Sequence, residues 1–442
     1  MTWEFAAEVA DGQGINLSCE GALALAGGPD LSATAQPVNY QGQAGADVEL
    51  TFETDVTVAI PQWAGTIRVM RAGQVQATRL QSRLEIKESA EGIEVTAHLG
   101  DVAIDSCGDG IRLDGVTGSI VVDSSGGDLR IKGINGAVTV ATAGDDVAIE
   151  GVNGPVKVES CGADLAVRAC NGPVAVGSAG GDLSVEHTAG PFGVDSVGGD
   201  LRLKSGAGPV GVGQVGGDAE LSGCAGPVKV EGVDGDCEVR RQAGPLTIGR
   251  VGADLSLEAG TGPATISEVG GDLSVRSLGG PLSAGHVGGD AELMEVKGGG
   301  ISVTASGDIH LRGELEPQTE CELTSETGDI TVEIPEEPRP VLVATWAGRE
   351  FVCDLPETAT EGAGPRLTLH APGDIRISSA TPRRRPGRPR RGESVPIVDR
   401  LFGPGRRPED LREERLMVLK MVESGKVTAE EGARLLEAMG GG

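Results

Sequence analysis

Asp recurs at positions 128, 146, 164, 182, 200, 218, 236, 254, 272, 290 and 308, always 18 residues apart. A row of carboxylates has two uses: holding cations between repeats, or accepting hydrogen bonds from backbone N–H groups at turns. Nonapeptide repeats that bind Ca²⁺ need GGxGxDxUx in every nine residues. Here Asp fills only alternate nines and the G-x-D spacing is missing, so each Asp is expected to cap its own Gly turn, with no metal bound. The five His (98, 187, 286, 310 and 370) sit near no GxSxG or HExxH frame and are expected at surfaces or turns. The eight Cys form no CxxC pair and no zinc spacing. Cys107, Cys161, Cys170, Cys224 and Cys237 fall at positions of the repeat that tolerate apolar residues, and read as small core fillers. Gly425-Lys426-Val427 lacks the Gly run and hydroxyl of a phosphate loop. The sequence therefore points to no catalytic residue and no cofactor.

One basic motif stands apart. Arg385-Pro386-Gly387-Arg388-Pro389-Arg390-Arg391 resembles an AT-hook, whose Gly-Arg-Pro core lies in a narrow A·T minor groove, where concentrated negative potential attracts Arg. The resemblance makes Arg388 the groove reader, with Arg385 and Arg390 flanking Gly387 and Pro389. Against it stands a formal net charge of −29, which disfavours nucleic acid and anionic membrane along the bulk of the chain.

The elements that would position these groups follow from composition and spacing. Of 442 residues, 72 are Gly, and only three Trp, one Tyr and five Phe are present, too few aromatics for conventional enzyme cores. Pro recurs at 155, 173, 191, 209, 227, 245, 263 and 281, nine residues after an Asp and always preceded by Gly. Between these marks lie apolar-x-apolar pulses such as Leu183-Ser184-Val185 and Phe192-Gly193-Val194. Alternation with period two is a strand signature. Three apolar residues per half cannot form a core alone, but stacked coils can. The predicted fold is all-β: a parallel β-solenoid with 18 residues per coil in two nine-residue halves, about 14 coils from Gln74 onward, and roughly 65 Å long at ~4.8 Å per coil. One outward column, Lys132, Glu150, Arg168, Glu186, Lys204, Ser222, Arg240, Glu258 and Arg276, becomes a ladder of mostly alternating charge when stacked. The opposite face is bare, with Gly177, Gly213, Gly249 and Gly285 at every second coil.

The domain reading is a β-rich N-terminal cap over 1–72, a regular solenoid over 73–308 and looser coils with a closing cap over 309–380. An Arg/Pro-rich linker, 381–408, holds nine Arg against two acids and reads as flexible. Residues 409–442 switch to helical grammar. Leu411, Leu416, Leu419 and Val422 line one helix face, Gly425 stops it, and Thr428 to Glu431 form a capping box for a second helix. Val427, Ala433, Leu436 and Met439 would pack that helix on the first. So short a hairpin buries little surface and calls for a partner or a second copy. The first residues show no secretory leader, and no run of about 18 apolar residues occurs, so a cytoplasmic protein without a transmembrane segment is expected.

The ladder of GDLxVxxxxGPVxV turns over about 73–335 resembles the adhesin-type family of bacterial β-solenoid domains. Residues 415–439, RLMVLKMVESGKVTAEEGARLLEAM, are similar to the SHOCT-like short helical hairpin that accompanies such domains. The resemblance implies architecture more than activity, with some members linked to envelope stress. The function expected is a non-catalytic scaffold whose hairpin self-associates or docks a protein partner. The alternatives are a DNA-tethered regulator acting through 383–391 and a polysaccharide-active solenoid enzyme.

Overall fold

The computed structural model describes residues 5–380 apart from 11, 42–46, 63 and 356–363. They belong to one unit, Met1–Ala380. The fold is an all-β parallel solenoid with about 15 regular turns of ~18 residues. Each turn contributes one strand to each of two sheets. In one sheet Leu165, Val167, Leu183, Val185, Leu201 and Leu203 stack inward; in the other Val174, Val176, Phe192, Val194, Val210 and Val212 do so, all buried. Register partners lie 18 residues apart through the regular region, as in Leu183↔Leu201 and Phe192↔Val210. The period in the sequence is thus the pitch of the coil.

A further interior column runs along one corner: Leu80, His98, Val116, Ile134, Val152, Cys170, Thr188, Cys224, Gln242, Leu278 and Val296 are all buried. The residue before it takes left-handed backbone angles in coil after coil. Examples are Ala97 (φ 51°), Gly133 (65°), Ala169 (54°), Arg241 (54°) and Ala259 (57°). One left-handed residue per coil turns the chain sharply enough to send the next side chain inward.

The Gly of the Gly-Pro corners answers to the spacing between coils. A Cβ on Gly172 would lie 2.3 Å from the carbonyl oxygen of Gly154 in the preceding coil. Glycine there makes room for the coils to approach.

Both ends depart from sequence order. At the N-terminal end, Ile15–Cys19 pairs with both Val48–Phe52 and Thr66–Arg71. In the other sheet, Ala22–Gly28 pairs with both Val56–Pro61 and Gln74–Thr78. The first coil in the sequence is therefore the second in space. The far end mirrors this. Arg366–Ala371 and Ile375–Ser379 are inserted between the coil of Glu320–Ser325 and Ile330–Ile334 and the outermost coil, Val341–Trp346 and Phe351–Cys353. Of the 21 strands of one sheet, all but Phe5–Ala7 and Leu31–Ala33 run parallel, which makes nineteen layers, about 90 Å at ~4.8 Å each. The rod exceeds the length expected from the regular repeat chiefly because 15–28 and 48–61, within the stretch expected to cap it, and 341–353 and 366–379 at the far end are coils themselves. The N-terminal covering is narrower: Leu31–Ala33, Phe5–Ala7 and Asn39–Gln41 lie antiparallel over the edges.

Candidate functional site: the carboxylate spine and the two faces

The Asp column forms a hydrogen-bonded spine. The Asp164 N–H donates to Asp146 Oδ1 (3.1 Å), Asp182 to Asp164 (2.8 Å), Asp200 to Asp182 (2.9 Å) and Asp218 to Asp200 (2.9 Å), and so on to Asp308. Each carboxylate therefore caps the next coil, where its own turn had been the expected target. Gly precedes most of these Asp residues, and a Cβ on Gly217 would lie 2.2 Å from Asp200 Oδ1; where Ala163 and Ala253 stand instead, the bond persists at 3.1 and 3.0 Å. Gly thus gives the previous carboxylate the most room, and Asp reaches forward with Gly or Ala before it. Beyond Asp308 the spine follows space and ignores sequence, running from Asp329 to Asp374 to the N–H of Glu350. The N-terminal coils use the same device, Asp55 accepting from Ala22 and Asp47 from Gly14.

The charge ladder resolves into discrete pairs. Lys132–Glu150 (3.1 Å), Arg168–Glu186 (3.4 Å) and Arg240–Glu258 (3.5 Å) join adjacent coils, with most of these side chains more than half exposed. Exposed pairs contribute at most about 1 kcal/mol each, so their main effect is on register. A shallow hollow over Ala148 gathers Arg112, Arg130 and Lys132, but each already faces a carboxylate: Glu94 at 3.9 Å, Asp128 at 3.5 Å and Glu150. On the opposite face Gly193 and Gly211 leave the sheet surface flat, with nothing within 4 Å of where a Cβ would stand.

The thiols behave as core groups. Cys107, Cys161, Cys170, Cys224 and Cys237 are buried, as are Cys19 and Cys321. Burial pushes the Cys237 and Cys321 thiols up to about 12, far from thiolate reactivity. Cys107 and Cys161 share a corner with Ser89 and Ser125. All four donate to the carbonyl sixteen residues earlier, Cys107 Sγ to Glu91 at 2.9 Å and Ser89 Oγ to Gly73 at 3.2 Å among them. Thiol and hydroxyl interchange there because either satisfies that oxygen.

Among the histidines, His187 and His286 are exposed as expected, His310 and His370 are half-buried, and His98 departs from the expectation. It is completely buried in the corner column. Desolvation holds its imidazole below the ordinary 6.5, partly offset by the neighbouring backbone of Asp101 and Ser82. Its position in the buried column was the available signal, since Leu80 and Val116 occupy it one coil to either side.

Among the described residues, no group of three or more His, Cys, Asp or Glu is arranged to hold a metal ion. No described helix is long and apolar enough to cross a membrane. The AT-hook-like residues Arg385, Gly387, Arg388, Pro389 and Arg390, and the hairpin residues Leu416, Leu419, Val422, Val427, Leu436 and Met439, lie outside the described residues.

Residues 413–442 match the SHOCT-like domain family. No curated protein matches the chain. No solved structure matches it. The match covers 30 of the 442 residues, at the C-terminal end of the sequence.

Proposed function

We propose that this chain is a non-catalytic scaffold, a rigid acidic β-solenoid whose SHOCT-like segment self-associates or docks a protein partner. The observation that carries the reading is the spine. The most regular polar groups of the repeat are committed to coil stacking, Asp218 N–H on Asp200 Oδ1 being typical. Such a chain spends its repetition on length and stiffness, and leaves two flat faces for display. The SHOCT-like match at 413–442 supports an interaction role for the C-terminal segment. The adhesin-type resemblance and its envelope-stress setting belong to this proposal. Light scattering of the full chain and of a 1–380 truncation tests it. The full chain is expected to exceed monomer mass and the truncation to fall toward it; identical monomer masses would sink the self-association role. Pull-down with and without 409–442 then separates a second copy from a different partner.

A further inference from the structure

The two ends of the solenoid are finished differently. At the N-terminal end, the outermost coil is fully covered: Val48, Leu50, Phe52, Val56, Val58 and Ile60 are all buried beneath short antiparallel strands. Phe5 and Tyr40 close that end edge to face, 5.1 Å apart. At the other end, the inward side chains of the two outermost strands, Leu342, Ala344, Phe351 and Cys353, are only partly buried, with Leu355 just beyond them buried. One layer deeper, Leu367, Leu369 and Ile375 are completely so. Among the described residues, no strand covers Val341–Trp346 or Phe351–Cys353 on their outer side. Val343 is 40% exposed and Trp346 44%, the latter stacked on Phe351 at 4.7 Å.

An open strand edge templates further pairing, and natural proteins normally blunt it with charge, Pro or a covering segment. Neither edge strand here carries a charged side chain. That matters in a chain of net charge −29, for which most approaches of a second copy are repulsive. We propose that the occupant of this end is a second copy of the chain, joined tail to tail about a two-fold axis. A two-fold perpendicular to both sheets sets Val341–Trp346 antiparallel to its own counterpart and Phe351–Cys353 to its own. Both sheets then continue unbroken from one rod into the next, and the half-buried core side chains are covered.

An end of two strands is smaller than the about 1,200 Å² of a stable interface, so it holds only when something else keeps the two ends close. Here the inference rests on the proposed self-association of 409–442. The chain leaves the solenoid after Ile375–Ser379, the strand directly beneath Phe351–Cys353. Hairpins that pair would therefore bring two open ends together and raise their effective concentration.

The test compares full-length wild type with the full-length Val343→Lys, Thr345→Lys double variant, by light scattering and by rod length in negative-stain electron microscopy. Both positions are exposed, and far-ultraviolet circular dichroism checks that the variant folds. Wild type is expected to show rods of about 180 Å, twice the single length. In the variant these fall about tenfold, the scale expected for like charges set opposite across a strand pair. A variant that stays dimeric while losing its double-length rods supports the end contact and separates it from the hairpins. Wild-type dimers lying side by side, or double-length rods undiminished in the variant, overturn it while leaving hairpin self-association standing. A wild-type chain that is monomeric throughout overturns both.

Discussion

Replacing Asp200 asks whether the spine stabilises the rod or burdens it. Carboxylates stacked at ~4.8 Å repel by about 0.9 kcal/mol per neighbour in water, or about 1 kcal/mol in total for two neighbours once salt at 0.15 M screens them. Against this stands the 2.9 Å bond from the Asp218 N–H. A hydrogen bond to a charged acceptor contributes about 1.5–3 kcal/mol, and exposure places this one in the lower half of that range. The bond wins, so Asp200→Ala should lower stability by about 0.5–1.3 kcal/mol. Asp200→Asn keeps an acceptor and removes the charge, so it should stay within about 0.5 kcal/mol of wild type, and rise above it near 10 mM salt, where the screening length grows to about 30 Å. Equilibrium denaturation gives the global number. Because repeat arrays open locally, hydrogen exchange at the Asp218 amide gives the direct one, and it should accelerate in Asp200→Ala and little in Asp200→Asn. Gly217→Ala, whose Cβ would stand 2.2 Å from the Asp200 carboxylate, should lengthen the bond toward the 3.0–3.1 Å seen after Ala253 and Ala163, and accelerate exchange less than Asp200→Ala does. An Asp200→Ala chain more stable than wild type, or an unchanged Asp218 amide, would refute this account of the column.

Three further outcomes follow from the corners and the core. Gly172→Ala forces two backbones apart, with a Cβ 2.3 Å from the Gly154 oxygen, and should cost about 1–3 kcal/mol in a thermal or urea melt. Ala259→Gly releases left-handed strain at φ 57° and should raise stability by about 0.5–1 kcal/mol, the relief exceeding the added freedom of the unfolded chain. His98 has a folded pKa depressed below 6.5, so the unfolded chain takes up its proton first. Stability should therefore be intact above pH 6.5 and fall as the pH drops below it, until the folded-state pKa is reached. His98→Leu, matching Leu80 in the same column, should flatten that part of the profile; a slope that survives it assigns the loss to other groups.

The regular coils were legible because every inward residue repeats at a fixed interval, and Leu183, Val185, Phe192 and Val194 declare themselves by alternation alone. The column holding His98, Thr188 and Gln242 was legible as interior only through Cys170 and Cys224, and the polar members were not. Its inward turn is set by a left-handed residue before it, and Ala97, His187 and Arg241 show no preference for that conformation in their side chains. The spine was visible as a spacing but not as a direction, since the same Asp can reach its own turn or the next coil. What settles the matter is the coil spacing, which sets the Asp218 N–H 2.9 Å from Asp200 Oδ1 and is a property of neighbouring coils. The open edge at Val341–Trp346 was hidden for a related reason. Its exposure depends on Arg366–Ala371 filling the layer beneath it, a pairing between segments that no periodicity connects.

The inserted coils at the two ends bear on how such a rod can change length over time. A coil added or lost in the middle, where Leu201 meets Ala219 and Ala219 meets Cys237, leaves every other layer with an equivalent neighbour. At the ends the same event is disruptive. Removing 15–28 would leave no shorter rod, but a missing layer between 48–61 and 66–78, and removing 366–379 would do the same beneath the last coil. The locked ends therefore confine duplication and deletion to the interior, where the two-coil rhythm of charge and bare glycine is found, and the terminal layers pass through such changes intact.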